Sequence, residues 1–170
     1  TWDGTASATI AQEERTPANP QSRTVSRLMP RHFTAKLAPH SPYAAAMRSI
    51  SLQIDKIRAS TGPLVIGMMT PEPHQGASTV SLGVAGACSL AGMRTLLIDC
   101  DLRNPSLTRA LAPMAQSSRS DILEGKATFD DTVWSDKITG FSFLPGKPDH
   151  PNAEADELLT SDRMRELIEG

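Results

Sequence analysis

Two short stretches of the sequence carry residues that could bind a phosphorylated ligand. The first is TPEPHQGASTV at 70–80, where Gly76, Ser78 and Thr79 lie between an apolar run and a run rich in small residues. The second is LLIDCDLRNP at 96–105, where Asp99 and Asp101 follow an apolar run. Amide groups of a glycine-containing turn at a helix start bind anions, and paired carboxylates bind Mg²⁺.

Each stretch also has a simpler interpretation. A phosphate-binding loop usually places a lysine before its hydroxyl residues, where the lysine reaches the β- and γ-phosphates. Here that position is Ala77, and His74 stands where a glycine is usual. A Gly-x-Ser-Thr turn before a helix is weak evidence by itself. Asp99 and Asp101 could instead cap the next helix or form an ion pair with Arg103.

The surrounding pattern predicts an α/β fold. PLVIGMMT at 63–70 and RTLLID at 94–99 are typical of strands buried on both faces of a parallel sheet. The small-residue run at 78–90 predicts a helix between them that ends at Gly92. Together they predict a right-handed βαβ unit with both candidate stretches at the carboxyl edge of the sheet, where ligands of open α/β sheets bind. A third strand is expected at 140–146, with short helices after Pro105 and on either side of Gly125.

A longer helix is expected to begin at Ser41-Pro42. Its apolar residues recur every three or four positions and form one stripe: Tyr43, Met47, Ile50, Ile54 and Ile57. That stripe either packs on its own domain or docks on a neighbouring subunit. The final helix is predicted to bury Leu158, Leu159, Met164, Leu167 and Ile168. Residues 1–40 have four prolines and no sustained apolar period, so we expect a flexible linker or tail before a domain at 41–170.

The bulk composition excludes several classes. A net charge of −2 and a sequence pI near 6.0 do not indicate a nucleic-acid-binding surface. No apolar run approaches the roughly 20 residues that span a bilayer, so any membrane attachment is expected to come from segments outside this chain. Cys88 and Cys100 are interpreted as buried thiols, although the sequence leaves a disulfide open. The four histidines lack metal-ligand spacing.

The segment LLIDCDLRNPSLTRAL resembles the second Walker motif of bacterial tyrosine kinases. SPYAAAMRSI, DILEG and ELLTSDRMREL extend the resemblance, in the same order, over the whole expected domain. Such kinases form the cytoplasmic domain of polysaccharide co-polymerases, which control the length and export of capsular polysaccharides and exopolysaccharides. The resemblance implies a P-loop NTPase-like fold of the deviant Walker type at the cytoplasmic face of the bacterial inner membrane. It also implies self-association and contacts with other subunits of the export machinery.

The resemblance also implies roles for individual residues. Gly76, Ser78 and Thr79 would line the phosphate site, and Ser78 would ligate Mg²⁺. Asp99 and Asp101 would position Mg²⁺ and act on the attacking hydroxyl group. The implied cofactor is therefore Mg·ATP or Mg·ADP.

The chain departs from the kinase pattern in several places. The loop lysine is Ala77 and the loop glycine is His74. The first helix of the family carries Glu-x-x-Arg-x-x-Arg, whereas this chain has Ala45, Arg48 and Ser51. The chain also ends before the Walker B strand and the tyrosine-rich tail, so we expect C-terminal strands of the fold to be missing from it.

These departures favour a domain that binds nucleotide weakly or not at all and acts as an assembly module. Several independent losses favour natural degeneration over an engineered Ala77. The alternative is an active ATP-dependent tyrosine autokinase in which another cation, such as Arg103, replaces the lysine. A positioning ATPase of the Min or Par type fits the motifs less well.

Overall fold

The computed structural model describes residues 5–11, 23–25, 38, 40–72, 75–137, 139–147 and 160–169. The strands in these ranges are β1 Thr5–Ala11, β2 Arg23–Val25, β3 Val65–Thr70, β4 Leu96–Ile98, β5 Trp134–Asp136 and β6 Ser142–Leu144. The helices are α1 Pro42–Thr61, α2 Ala77–Leu90, α3 Ser106–Leu111, α4 Arg119–Leu123, α5 Phe129–Thr132 and α6 Asp162–Glu169. None of the described helices is both long and apolar enough to cross a membrane.

The strands form one sheet in the order β2-β5-β6-β4-β1-β3. β4 runs parallel to β6, with Leu97 opposite Phe143, and β2 runs parallel to β5. β5 and β6 are antiparallel because only a short turn joins them, and β1 is antiparallel to both β3 and β4. The predicted α/β class is confirmed, but the sheet is mixed and not parallel.

Two of these strands lie within residues 1–40. β1 pairs with β3 on one side and with β4 on the other, and β2 pairs with β5 at the opposite edge. The expectation of an unstructured linker is therefore wrong for these two ranges. The physical reason is that sheet pairing uses backbone groups, so it does not require the apolar periodicity on which the expectation was based.

The predicted strand–helix–strand unit is present as β3, α2 and β4. All three residues of β4 are buried, as predicted. β3 differs, because every second residue is exposed: Val65, Gly67 and Met69. The expectation that both of its faces are buried is wrong. Within the described sheet β3 is an edge strand, and α2 and α1 lie against one face only.

Helix α1 begins as predicted, with the Ser41 hydroxyl accepting a hydrogen bond from the Ala44 amide at 3.0 Å. Its buried residues are Ala44, Met47, Ser51 and Ile54, whereas Ile50 and Ile57 are exposed. The buried stripe is therefore narrower than the apolar pattern predicted. The reason is that α1 meets α2, whose small residues admit only a few side chains of α1 at close range.

The core is divided between two clusters of buried side chains. The larger one joins α1, α2, β4 and β6 and includes Leu82, Val84, Leu97 and Phe143. The smaller one contains Leu96, Ile98, Leu123, Leu144 and Met164, with Leu167 and Ile168 of α6 packed against it. The predicted burial of Met164 is confirmed, and Leu158 and Leu159 lie outside the described residues.

Candidate phosphate-binding edge

The loop after β3 leads into α2 through a left-handed glycine. Gly76 has φ 91° and ψ 10° and caps the helix, and its carbonyl accepts the first helical hydrogen bond from the Val80 amide at 2.9 Å. Glycine is the residue that adopts this conformation without strain. Gly76 makes no side-chain cap, so the first amide groups of α2 have no side-chain acceptor at the cap position. This arrangement is typical of helix starts that bind anions.

Ala77 is the first residue of α2 and contributes only a methyl group at the position of the expected lysine. Ser78 and Thr79 follow in the first turn. His74, the other departure in this loop, lies outside the described residues. A phosphate site at the start of α2 therefore stays a prediction, and residues 75–79 contain no lysine or arginine.

Two contacts fix the start of α2 against its surroundings. The Ser78 hydroxyl lies 3.0 Å from the Ser106 hydroxyl at the start of α3. The Tyr43 hydroxyl of α1 donates a hydrogen bond to the Thr79 carbonyl at 2.7 Å. Burial raises the pKa of Tyr43, so this hydroxyl stays protonated and able to donate at neutral pH.

Asp99 is buried at the end of β4 and accepts three hydrogen bonds. Its Oδ2 accepts from the amide and the hydroxyl of Thr108 at 2.8 and 2.7 Å, and its Oδ1 accepts from the Asp101 amide at 3.2 Å. Burial raises the pKa of Asp99 to about 6, although the Thr108 bonds oppose the shift. The carboxylate therefore joins the end of β4 to α3.

Asp101 organises the turn that follows. Its Oδ1 accepts hydrogen bonds from the amides of Arg103 and Asn104 at 3.1 and 2.7 Å. Asp99 thus accepts from an amide in the first turn of α3, whereas Asp101 bonds only amides of the turn before α3, including that of Arg103. A role for Asp99, Asp101 and Ser78 in binding Mg²⁺ stays a prediction. Among the residues that the structure describes, no group of three or more His, Cys, Asp or Glu side chains is placed to hold a metal ion.

Two residues that the sequence interpretation missed, Thr108 and Arg119, complete this edge. Thr108 also accepts a hydrogen bond from the Gly146 amide at 2.7 Å, which ties the end of β6 to α3. Arg119 is 1% exposed, and its Nη1 donates to the Asp99 carbonyl at 2.5 Å. Its Nε is buried without a hydrogen-bond partner. No local pattern distinguishes Arg119 from a solvated arginine, because its burial depends on the distant end of β6.

Lys147 follows Gly146 at the same edge. Its Nζ lies 3.8 Å from Asp121 Oδ1, and its side chain is 37% exposed. Asp121 also accepts hydrogen bonds from the amide and hydroxyl of Ser118 in the capping box of α4. Lys147 is therefore a partly exposed cation that lies beside α4.

These contacts bring the candidate residues to one edge of the sheet. Ser78 reaches Ser106, and Asp99 reaches Thr108 one helical half-turn later in α3. Gly76 and Ala77 adjoin Ser78 at the start of α2. Arg103 lies on the exposed turn after β4. Cys100 and Cys88 are buried as thiols and not joined in a disulfide, and burial raises the pKa of Cys88 to about 11.

Comparison with known proteins places this edge in context. No family model matches the sequence. The chain is 33% identical over 133 residues to the succinoglycan biosynthesis transport protein ExoP of Rhizobium meliloti. It is 32% identical over 125 residues to the tyrosine-protein kinase wzc of Salmonella typhimurium. The matches cover 78% and 72% of this chain and 17% of each relative.

A solved structure shows the same fold. The kinase domain of the Escherichia coli tyrosine kinase ETK superposes with a TM-score of 0.64 at 21% identity. The match covers 90% of this chain and 58% of that chain. This likeness shows the fold, and the chain spans only part of each of these proteins.

Proposed function

We propose that this chain, which belongs to the bacterial tyrosine kinases of exopolysaccharide biosynthesis, is a kinase-like domain that does not transfer phosphate efficiently. In this proposal it is an assembly module of a polysaccharide export system at the cytoplasmic face of the inner membrane. Ala77 carries the proposal. It occupies the first position of α2, directly after the left-handed Gly76, where phosphoryl transfer requires a cation.

The absence of a lysine at position 77 should raise the barrier to phosphoryl transfer substantially. Phosphoryl transfer depends on positioning and on neutralising the charge that develops on the transferred group. Loss of one donor that stabilises such charge typically costs about 3–4 kcal/mol, or about 10²–10³ in rate. His74 adds a second departure, because a side chain replaces the glycine usual at that position of the loop.

The remaining groups fit a site for Mg²⁺ and nucleotide phosphates in part. The Ser78 hydroxyl and the Asp101 carboxylate are oxygen donors of the kind that Mg²⁺ binds. Asp99 is deeply buried and its oxygens already accept three hydrogen bonds, so it is better placed to hold α3 than to bind the ion directly. When bound, Mg²⁺ would neutralise phosphate charge. We expect the nucleotide to bind weakly, if it binds at all.

Helix α1 supports the assembly role. It exposes Ile50, Leu52 and Ile57 at 37%, 61% and 51%. Ile50 and Ile57 lie seven positions apart on one face of the helix, and an apolar patch of this kind is typical of protein–protein contacts. In the proposed function, α1 would contact a second copy or another subunit of the export machinery.

Calorimetric titration with Mg·ATP and Mg·ADP tests the loss of function. We expect dissociation constants well above the micromolar range, because the loop lacks its cation. Micromolar binding by the natural sequence would contradict the proposal. The Ala77→Lys variant is the positive control, and Ala77→Gln adds a long side chain without the charge.

A second candidate is an active ATP-dependent protein tyrosine autokinase that regulates exopolysaccharide synthesis. Two observations favour it: relatives carry the name tyrosine-protein kinase, and the Arg119 guanidinium donates a hydrogen bond to the Asp99 carbonyl. It predicts that the natural full-length protein transfers radiolabel from ATP to tyrosine without any substitution at position 77. The proposed non-catalytic role predicts no transfer above background.

A further inference from the structure

Helix α1 lies at the surface of the domain and packs chiefly on α2. Its buried face includes Met47 and Ile54, which belong to the same core cluster as the side chains of α2. Ile50 and Ile57 lie outside that face and are exposed. A displacement of α1 from its exposed side therefore acts first on α2.

A hydrogen bond joins the first turn of α1 to the first turn of α2. The Tyr43 hydroxyl donates to the Thr79 carbonyl at 2.7 Å. Tyr43 directly follows Pro42, the first residue of α1, and Thr79 lies two residues after Ala77, the first residue of α2. The bond thus reaches the end of α2 that follows Gly76.

Gly83 makes room for this hydroxyl. A Cβ atom built on Gly83 would overlap the Tyr43 hydroxyl and would lie 2.9 Å from its Cζ, which is closer than nonbonded atoms approach. Gly83 lies one helical turn after Thr79, so its amide points to the same carbonyl that accepts from Tyr43. Tyr43 therefore fits a recess on α2 that exists because residue 83 has no side chain.

The first turn of α2 has a second polar contact, with α3. The Ser78 hydroxyl lies 3.0 Å from the Ser106 hydroxyl at the start of α3. Two positions later in α3, Thr108 donates two hydrogen bonds to Asp99. The first turn of α2 is thus joined to α1 through Thr79 and to α3 through Ser78, and its position depends on both helices.

We propose that Tyr43 is a positioning residue that transmits displacements of α1 to the first turn of α2. The inference deepens the proposed function, because α1 is there the helix that contacts a partner. A hydrogen bond weakens steeply when its atoms separate by about 1 Å, so a small movement of α1 is enough to release the Thr79 carbonyl. The inference requires neither a cation nor a bound nucleotide at the start of α2.

Amide hydrogen exchange at residues 80–83, measured by NMR, tests the contact. Tyr43→Phe removes the hydroxyl and keeps the ring, so we expect exchange at these residues to rise about twofold to tenfold, the range for one hydrogen bond. The matched control is Thr61→Val, which removes a hydroxyl that donates to the Ile57 carbonyl at the other end of α1. We expect this control to leave residues 80–83 unchanged. Unchanged exchange in Tyr43→Phe, or an equal rise throughout α1 and α2, overturns the inference.

A double-mutant cycle tests the transmission along α1. Ile54→Val removes one methylene group from the buried face, about 16 Å along the helix axis from Tyr43. The effects of sites this far apart normally add. We expect Ile54→Val to raise exchange at residues 80–83 by a smaller factor in the Tyr43→Phe background than in the natural chain. Equal factors, or no rise in the natural chain, overturn the transmission.

These outcomes are separate from those that decide the proposed function. Loss of the coupling would change neither Ala77 nor the exposed face of α1, so its failure leaves the proposed function intact. Efficient radiolabel transfer by the natural chain contradicts the proposed function, whereas amide exchange at residues 80–83 decides the role of Tyr43.

Discussion

The two halves of the candidate edge are built in different ways. At the end of β4, Asp99 and Thr108 share two hydrogen bonds, and Thr108 also accepts one from Gly146. At the start of α2, one hydrogen bond from Tyr43 and one hydroxyl contact at Ser78 join the first turn to its neighbours. The first region is held by buried polar contacts, and the second by the close packing of α1 on α2.

This difference separates what the fold requires from what the chemistry requires. The contacts of Asp99 join β4, α3 and β6, so their loss would damage the fold whatever the protein does. Ala77, in contrast, is a half-buried residue at a helix start, and its methyl group cannot form polar contacts of this kind. A kinase-like domain can therefore lose its loop cation and keep its architecture.

The largest expected effect is that of Thr108→Val. This substitution removes the hydroxyl that donates to Asp99 and accepts from Gly146, and it leaves buried polar groups unpaired. At about 1–3 kcal/mol for each unpaired group, we expect the free energy of unfolding to fall by roughly 4 kcal/mol. Urea denaturation measures it. Thr108→Ser keeps the hydroxyl and is the control; equal stability of the valine variant and the natural chain would contradict the difference between the two regions.

The next effect is a pH dependence of stability that arises from Asp99. Burial raises its folded-state pKa to about 6, above the unfolded value of about 3.9. The folded state then binds more protons between these values, so this group's contribution is fully present below about pH 4 and is lost as the pH rises through 6. The difference between these two pKa values corresponds to roughly 3 kcal/mol of stability.

Denaturation of the natural chain and of Asp99→Asn at several pH values checks this prediction. The asparagine variant should be less stable overall. Its side-chain NH₂ group replaces one of the two oxygens that accept hydrogen bonds from Thr108 and Asp101. Its stability should also lack the component that declines between pH 4 and 6. If both proteins show the same pH profile, Asp99 is not the titrating group.

A smaller effect tests the packing that holds the start of α2. A Cβ atom built on Gly83 would lie 2.8 Å from the Met47 sulfur and 2.9 Å from the Tyr43 Cζ. Gly83→Ala must therefore push α1 away from α2, and we expect a loss of roughly 2 kcal/mol in urea denaturation. Gly67→Ala is the control, since nothing lies within 4 Å of its Cβ position. Equal stability of the two variants would show that α1 does not press on α2.

The sequence predicted the parts of the fold that local patterns determine. The apolar run at β4 and the small residues of α2 led to correct assignments, and Ser41-Pro42 located the start of α1. The exposed face of β3 was missed, because an apolar strand has the same appearance whether one face or both are covered. β1 and β2 were missed because their pairing depends on the backbone of distant strands.

The candidate site was predictable only in its outline. Gly76, Asp99 and Asp101 were identified from their places after two strands, and the structure brings them to one edge. The contacts of that edge are long-range: Ser78 and Ser106 are 28 positions apart, and Gly146 and Thr108 are 38. Arg119 could not be assigned in advance, since it contacts both the Asp99 carbonyl after β4 and the Pro145 carbonyl after β6, which only the pairing of these strands brings together.

The most direct test of the account is radiolabel transfer from Mg·ATP to tyrosine in the full-length protein. It compares the natural sequence with its Ala77→Lys and Ala77→Gln variants. We predict no transfer above background for the natural sequence and the glutamine variant. The lysine variant should regain up to about 10²–10³ in rate, the factor ascribed to one lost donor. Transfer by the natural sequence at a rate equal to that of Ala77→Lys would contradict the claim that the missing cation disables this domain.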